Sequence, residues 1–180
     1  MSDTFGFSTR NIGPCEVEYD GVVIGLTEGG VTLNTKYDTH ETTADITGTT
    51  ARRKIVTGVK VNVEANLTEV TVTQLAKIIP GSTLTEDIFI IQNCVGTDLV
   101  TGAKVLILKP LVGSGNEGID SDGAVSDDTE WVTVPLASVT PDLAVPFALD
   151  KQRIYKVTFE GHPTTVGSYK NALWYIGASA

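Results

Sequence analysis

The chain has 180 residues, of which 41% are hydrophobic, and its 13 Lys and Arg against 22 Asp and Glu give a formal net charge of −9. This composition predicts one folded domain over residues 1–180 with its own core, and it excludes a disordered chain. No apolar run approaches the roughly 20 residues of a membrane span, and the acidic charge argues against tight binding of nucleic acid.

The N-terminal sequence and the two cysteines indicate a chain made in a reducing compartment. Residues 1–10, MSDTFGFSTR, have neither the basic start nor the apolar centre of a secretory signal, so we expect synthesis in a cytoplasm. Cys15 and Cys94 lie far apart in the chain, and we interpret them as buried, reduced residues rather than as a disulfide.

Alternation of apolar and polar residues predicts three strands before residue 70. The clearest case is residues 54–67, where the odd-numbered residues from Ile55 to Leu67 are expected on a dry face and Val56 on the opposite, mostly polar face. Two other runs show the same period: residues 15–20 and residues 31–40.

The glycines between these runs are typical of turns. Asp20 and Gly21 form a preferred central pair for a type I′ hairpin, because both positions need a positive φ. We expect a β-bulge at Gly25 and a second chain reversal at Gly29 and Gly30.

One segment departs from the period of two. LTEVTVTQLAKIIPGS predicts an amphipathic helix over about residues 68–79, with Thr68 as the N-cap and Glu69 in the first turn. Lys77 is placed near its end, and Pro80 and Gly81 are expected to terminate it.

The rest of the chain is again rich in strand patterns. Residues 111–129 contain many Gly, Ser and Asp and predict a long loop or a short extra hairpin. The plan is therefore mainly β, with many antiparallel strands and one helix. The further strands are expected at residues 88–93, 103–109, 130–138, 153–160 and 173–176.

Two motifs resemble ligand sites but lack the required context. GSGNEG at residues 113–118 matches G-x-G-x-x-G, yet the chain then continues with acidic residues and no helical period, so no dinucleotide site is expected. Six acids crowd residues 117–130 without the glycine position of an EF-hand, which favours a solvated acidic loop over a calcium site.

No pattern marks a catalytic centre. His40 and His162 have no other ligand at metal-binding spacing, and no nucleophile elbow or phosphate-binding loop is present. A Ser/His/Asp site assembled from distant residues stays open. We therefore expect neither an enzyme nor a bound cofactor or metal.

The only basic run lies in a polar stretch, residues 40–58, between two predicted strands. Arg52, Arg53 and Lys54 follow each other there in an acidic chain. The structural interpretation is a mobile hairpin tip with solvated charges. The functional interpretation is a basic patch that meets the acidic surface of another copy.

Together these segments resemble the phage tail tube proteins, also called major tail proteins, of siphophages. The resemblance is a diffuse pattern over about residues 12–178. The matching segments are GPCEVEYDGVVIGLTEGGVTLNTKYDTHETTADITGTT, KIVTGVKVNVEANL, TEVTVTQLAKIIPGS, RIYKVTFEGHPT and WYIGAS.

The resemblance implies an antiparallel β-sandwich or small barrel with one flanking helix. It implies a structural virion protein whose six copies close into a ring, with rings stacking into a tube that conducts DNA without binding it specifically. The implied partners are further copies, the tape measure protein and the tail terminator, with no membrane and no cofactor. The implied location is the virion tail, after synthesis in the host cytoplasm.

The resemblance also implies roles for particular segments. The long loop at residues 40–54 is expected to reach a neighbouring ring, with the N-terminal arm at residues 1–12 contributing. The acidic loop at residues 111–130 departs from the family pattern, and we expect it to lie on the outer side. The expected ring-stacking residues are Thr42, Thr43, Asp45, Arg52, Arg53 and Lys54. The acids expected to face the lumen are Glu16, Glu18, Asp20 and Glu64.

A β-sandwich ligand-binding module is the alternative function. Such a module would bind carbohydrate, or use calcium in the acidic loop, on a phage or bacterial surface. Carbohydrate modules present exposed aromatic rings, and most aromatic residues here fall within strand patterns. Trp131 is the exception.

Overall fold

The computed structural model describes residues 15–43, 50, 52–86, 88–110, 130–141, 153–165 and 169–177. Asp45, the predicted N-terminal arm and residues 111–129 of the predicted acidic loop lie outside the described residues. The strands are β1 (Cys15–Tyr19), β2 (Val22–Val23), β3 (Leu26–Thr42), β4 (Arg53–Thr68), β5 (Ser82–Thr85), β6 (Ile88–Ile91), β7 (Lys104–Pro110), β8 (Val132–Pro141), β9 (Tyr155–Gly161) and β10 (Tyr175–Ile176). The helix is α1 (Val72–Ile78).

The fold is mainly β, with antiparallel sheets and one helix, which confirms the predicted fold class. One sheet has the strand order β2-β1-β7-β8-β9-β4-β3, with β10 pairing with β8. The Thr27 hydroxyl donates a hydrogen bond of 3.5 Å to the Cys15 carbonyl, so the sheet curls until the start of β3 meets β1. β5, which the sequence patterns did not indicate, pairs with β6 in a separate two-stranded sheet.

The core fills the inside of this curled sheet. Phe159 of β9 is fully buried and lies against Tyr19 of β1, with 5.3 Å between the ring centroids. The Tyr19 hydroxyl is also satisfied, because it donates to the Ala137 carbonyl at 3.1 Å. The predicted dry face of β4 is confirmed in its second half, where these residues are buried: Val61, Val63, Ala65 and Leu67.

A β-bulge exchanges the two faces of β4 in its first half. Asp38 pairs with Gly58 and Thr39 pairs with Val56, so Thr57 is an extra residue without a partner position in β3. Because paired residues share a face, Val56 lies on the face that continues the core side. The prediction that Ile55 lies on the dry face and Val56 on the other was therefore wrong.

The glycines of the first strands are partly as predicted. Asp20 and Gly21 have φ of 52° and 73°, as the predicted type I′ turn requires. Gly29 and Gly30 lie inside β3, where the pairing register shifts, so the prediction of a chain reversal there was wrong. The bulge expected at Gly25 lies at this pair instead, because two positive φ values absorb the residues added to β3.

The helix is shorter than predicted at its start. Thr68 still belongs to β4, so it is not the N-cap, and Glu69 has a left-handed φ of 53° rather than a place in the first turn. Thr71 is the N-cap and forms a capping box with Gln74, whose side-chain NH₂ also donates to the Val23 carbonyl at 2.7 Å. This bond fixes the helix against β2.

The predicted end of the helix is confirmed. Lys77 lies in the last turn of α1, Ile79 is the C-cap, and Gly81 follows with a φ of 72°. A side chain at Gly81 would meet the Cys94 Cβ at 2.7 Å, so this close approach also requires glycine. No helix in the described ranges is long and apolar enough to cross a membrane.

Both cysteines are free thiols and are partly exposed. Burial of the Cys15 sulfur raises its pKa from the ordinary value of 9.0 to about 11. Since the thiolate is the reactive form, this shift makes Cys15 a poor nucleophile at neutral pH. The expectation that both cysteines are buried was wrong, because each is only partly buried.

Candidate assembly surface

β3 and β4 extend beyond the rest of the sheet as a two-stranded ribbon. The pairing of β4 with β9 ends at Val61 and Gly161, so residues 53–60 of β4 continue with β3 as their only described neighbour. We call residues 36–42 and 53–60 the ribbon. No strand among the described residues pairs with the outer edge of β3.

The ribbon exposes apolar side chains. Tyr37 is 61% exposed, Val56 is 55% exposed and Ile55 is 48% exposed. Tyr37 and Val56 lie on one face because of the bulge, and Ile55 lies on the other with His40. The ribbon therefore presents apolar surface on both faces, at a position that no other described strand covers.

Five of the six predicted ring-stacking residues come together at the end of the ribbon. The Arg52 N–H donates to the Thr42 carbonyl at 2.9 Å, and Thr43 lies in the same surface groove as Arg53. Lys54 forms an ion pair with Glu41 across the ribbon at 2.7 Å. Asp45, the sixth residue, lies outside the described residues.

The basic run is therefore partly paired. The hydrogen bond from Lys54 lowers the pKa of the Glu41 carboxyl, which is exposed. An ion pair of this kind holds the two strands in register but adds little stability. Arg52 and Arg53 are also exposed, so the end of the ribbon presents positive charge next to apolar surface.

Two of the predicted lumen acids form a half-buried ion cluster. The Lys109 ammonium lies 2.6 Å from the Glu18 carboxylate and 3.5 Å from that of Glu16, and these three side chains are between 11% and 19% exposed. The same ammonium lies 4.6 Å from the centroid of the Trp131 ring. Both acids are therefore paired with a lysine of their own subunit.

The electrostatics of this cluster favour the charged lysine. Partial burial lowers the Lys109 pKa, but the ion pairs with Glu18 and Glu16 outweigh it, so the pKa is raised. A raised pKa in the folded state stabilises the fold at every pH below the ordinary lysine value of about 10.4. This contribution to the stability of the fold is lost as the pH rises through the raised pKa of Lys109.

Lys109→Met is expected to lower the free energy of unfolding by about 2–4 kcal/mol, because it removes the ammonium that pairs with two half-buried carboxylates. Chemical denaturation at pH 7 measures the change. Lys54→Met, which breaks the exposed pair with Glu41, serves as the control and is expected to cost less than about 0.5 kcal/mol. Equal effects of the two substitutions would contradict the assigned role of Lys109.

The other two predicted lumen acids lie elsewhere. Asp20 forms an ion pair with Lys77 of α1 at 3.1 Å. Glu64 is exposed on the outer face of β4, between Thr32 of β3 and Thr158 of β9. Three strands separate β4 from β1 in the sheet, so the structure does not bring the four acids into one cluster.

The outer face of β3, β4 and β9 carries balanced charge. Lys60 lies 3.6 Å from the Asp38 carboxylate on this face. Three lysines and three acids share it along the paired part of these strands: Lys36, Lys60, Lys156, Asp38, Glu64 and Glu160. This polar surface therefore differs from the chain as a whole, whose net charge is −9.

A serine and a histidine meet on the sheet in a way that no motif indicated. The Ser138 hydroxyl lies 2.8 Å from His162 Nε2. Asp98 adds a carboxylate whose pKa is lowered by hydrogen bonds from Thr101 and from the Val100 N–H, and to a smaller extent by His162. Ser138 is only 3% exposed, and the contact satisfies a buried polar group.

Trp131 borders a groove of about 360 Å³ on the outside of β7 and β8. Tyr175 lies in the same groove and stacks on Tyr169, with 4.6 Å between the ring centroids. One face of the Trp131 ring is occupied by Lys109. Within the described ranges, no group of three or more His, Cys, Asp or Glu is placed to hold a metal ion.

Neither a protein-family model nor a curated protein sequence matches this chain.

Proposed function

We propose that this protein is the subunit of a phage tail tube, a structural virion protein whose copies form hexameric rings that stack around a channel for DNA. The sequence resemblance supports this proposal. The structural observation that carries it is the long β3 strand, whose outer edge has no partner among the described strands and which continues into an exposed ribbon.

An unpaired edge of this length needs a partner. β3 has 17 residues, and beyond its start, which meets β1, its exposed edge presents a row of backbone donors and acceptors that pairs readily with another chain. Monomeric proteins shorten, cover or twist such edges. A second copy of the same chain supplies the partner here, and the strand pairing continues the sheet from one subunit into the next.

The ring that the family resemblance implies requires a head-to-tail contact, in which the β3 edge meets a different surface of the next subunit. When different surfaces of identical subunits meet, the contacts generate a closed ring or an open helical array. A ring of six subunits follows the family resemblance, and the balanced polar face of β3, β4 and β9 suits a channel to which DNA does not adhere.

Asn34→Lys is expected to block assembly, because it adds a charge to the free edge of β3, where a neighbouring strand would pair. Asn34 and Asn62 are paired across β3 and β4, and both are exposed. Asn62→Lys therefore places the same charge on the same face but one strand away from the edge, and it serves as the control. Sedimentation velocity at increasing protein concentration measures the assembled fraction.

We expect assemblies to form with the unmodified protein and with Asn62→Lys and to be reduced at least about tenfold with Asn34→Lys. Circular dichroism checks that both variants fold. Assembly that is unaffected by Asn34→Lys would show that the β3 edge is not the contact between copies.

The second candidate function is carbohydrate binding, and the groove between Trp131 and Tyr175 is the observation that favours it. A binding module of this kind acts as a monomer. Its aromatic groove lies on β7 and β8, away from the ribbon. The oligomeric state of the purified protein therefore separates the two functions.

A further inference from the structure

An apolar groove of about 350 Å³ lies against a free stretch of β8. β7 pairs with β8 only as far as Lys104 and Ala137, so the following residues of β8 have no described strand on that side. The end of α1 and the segment after β6 form the other walls. The groove is lined by Ile79, Pro80, Ile91, Cys94, Leu99, Val139 and Thr140.

The chemistry of this groove suits an apolar side chain. Val139 is 3% exposed at its base, whereas Ile91 is 58% exposed and Leu99 is 36% exposed. Small-molecule sites combine apolar walls with several placed polar groups that fix the ligand. Here the Thr140 hydroxyl and the Cys94 thiol are the polar side-chain groups of the lining, so the groove lacks the means to orient a polar ligand.

The ribbon carries exposed apolar side chains that suit this apolar groove, but it cannot reach the groove of its own subunit. In the sheet register, Val139 lies at the level of Phe159 and thus of Val63 in β4. The ribbon ends at Arg53, ten residues from Val63, which is a distance of about 33 Å along the strand. The ribbon also points away from the groove, so only another copy can bring the two together.

Charge also favours a second copy as the occupant. Arg52, Arg53 and Lys54 lie at the end of the ribbon, and without these three positive charges the rest of the chain carries −12. Asp98 is exposed and directly precedes the groove residue Leu99. A basic, apolar ribbon therefore suits an apolar groove that has an exposed carboxylate beside it, in a chain whose remainder is acidic.

We propose that the ribbon of one subunit packs the face bearing Tyr37 and Val56 into the β8 groove of the next subunit. This inference rests on the proposed function, and it identifies the surface that receives the ribbon. The contact buries the exposed apolar residues of both surfaces and gives the stack a direction, since ribbon and groove lie apart on each subunit.

Disulfide trapping tests this contact, because Cys94 already lies in the groove. In a Cys15→Ala background, Val56→Cys places one new thiol on the ribbon, and Tyr37→Cys is a second probe on the same face. Mild oxidation of the assembled protein is expected to give a ladder of reducible multimers, which disappears when Cys94→Ala is added. Lys156→Cys, on the exposed outer face of β9, is the control and is expected to give no ladder.

Electron microscopy of the same samples distinguishes a failure of the contact between ribbon and groove from a failure of the proposed tube function. Assemblies that form but show no ladder with either ribbon probe would overturn the groove as the receiving surface and leave the tube function standing. A ladder of equal intensity with Lys156→Cys would overturn it as well. If the concentrated unmodified protein forms no assemblies, the tube function and this contact fall together.

Discussion

Phe159→Ala is expected to lower the free energy of unfolding by about 3–5 kcal/mol, the largest effect of any single substitution considered for this fold. Phe159 is 0% exposed, and its ring lies 5.3 Å from that of Tyr19. Truncation removes this aromatic contact and opens a cavity at the centre of the curled sheet. Equilibrium denaturation in urea, monitored by circular dichroism, measures the loss.

Tyr37→Ala is the matched control for this measurement. It also removes an aromatic side chain from a strand, but Tyr37 is 61% exposed on the ribbon, so the expected cost is within about 0.5 kcal/mol. Similar losses for the two substitutions would contradict the location of the core. A small loss for Tyr37→Ala would also show that the ribbon does not stabilise the isolated subunit.

The second large effect is on assembly. Reversing Arg52, Arg53 and Lys54 to Glu is expected to abolish tube growth and to leave the subunit folded. Each reversal changes the charge by two, so the net charge becomes −15, and the end of the ribbon then repels the acidic surface of the next copy. The residues are exposed, so the free energy of unfolding is expected to change little.

A control with the same net charge comes from exposed residues away from β3 and the ribbon. Reversing Arg153, Lys156 and Lys170 to Glu also gives −15 but leaves the ribbon and the β3 edge unchanged. Negative-stain microscopy and sedimentation compare the two triple variants. Tubes that still form after reversal of the ribbon residues, or that disappear equally in the control, would contradict the role assigned to this basic run.

Local patterns predicted the parts of the fold that depend on one segment at a time. The alternation from Val61 to Leu67 marks a face that is buried in the structure, and the Asp20-Gly21 pair forms the expected turn. The helix start was misplaced at Thr68, although the sequence contains the signal for the correct one. Thr71 and Gln74 have the spacing of a capping box.

Features that depend on a partner strand were not predictable in this way. The bulge at Thr57 exists because Asp38 pairs with Gly58 and Thr39 with Val56, and no single strand shows this register. It moves Val56 onto the core side and Ile55 to the outer face. The bulge therefore places the exposed Val56 on the core side of the ribbon, where the alternation pattern had predicted Ile55.

The sequence predicted the basic residues of the candidate assembly surface, but it did not predict the ion pairs of the lumen acids or the apolar groove. The basic run stands out in the sequence, and the structure places Arg52, Arg53 and Lys54 together at the end of the ribbon. The pairing of Glu16 and Glu18 with Lys109 joins residues that are distant in the chain, so their alternation alone indicated only an exposed acidic face. The apolar groove likewise combines α1, β6 and β8, which only the fold brings together.

Negative-stain electron microscopy of the purified, concentrated protein shows whether this chain builds a tube. We expect rings or hollow tubes built from this chain alone, because each subunit carries both a free strand edge and the surface that receives its neighbour. A species that stays strictly monomeric at high concentration, with a melting temperature raised by calcium or by an oligosaccharide, would contradict the tube function and favour the binding module.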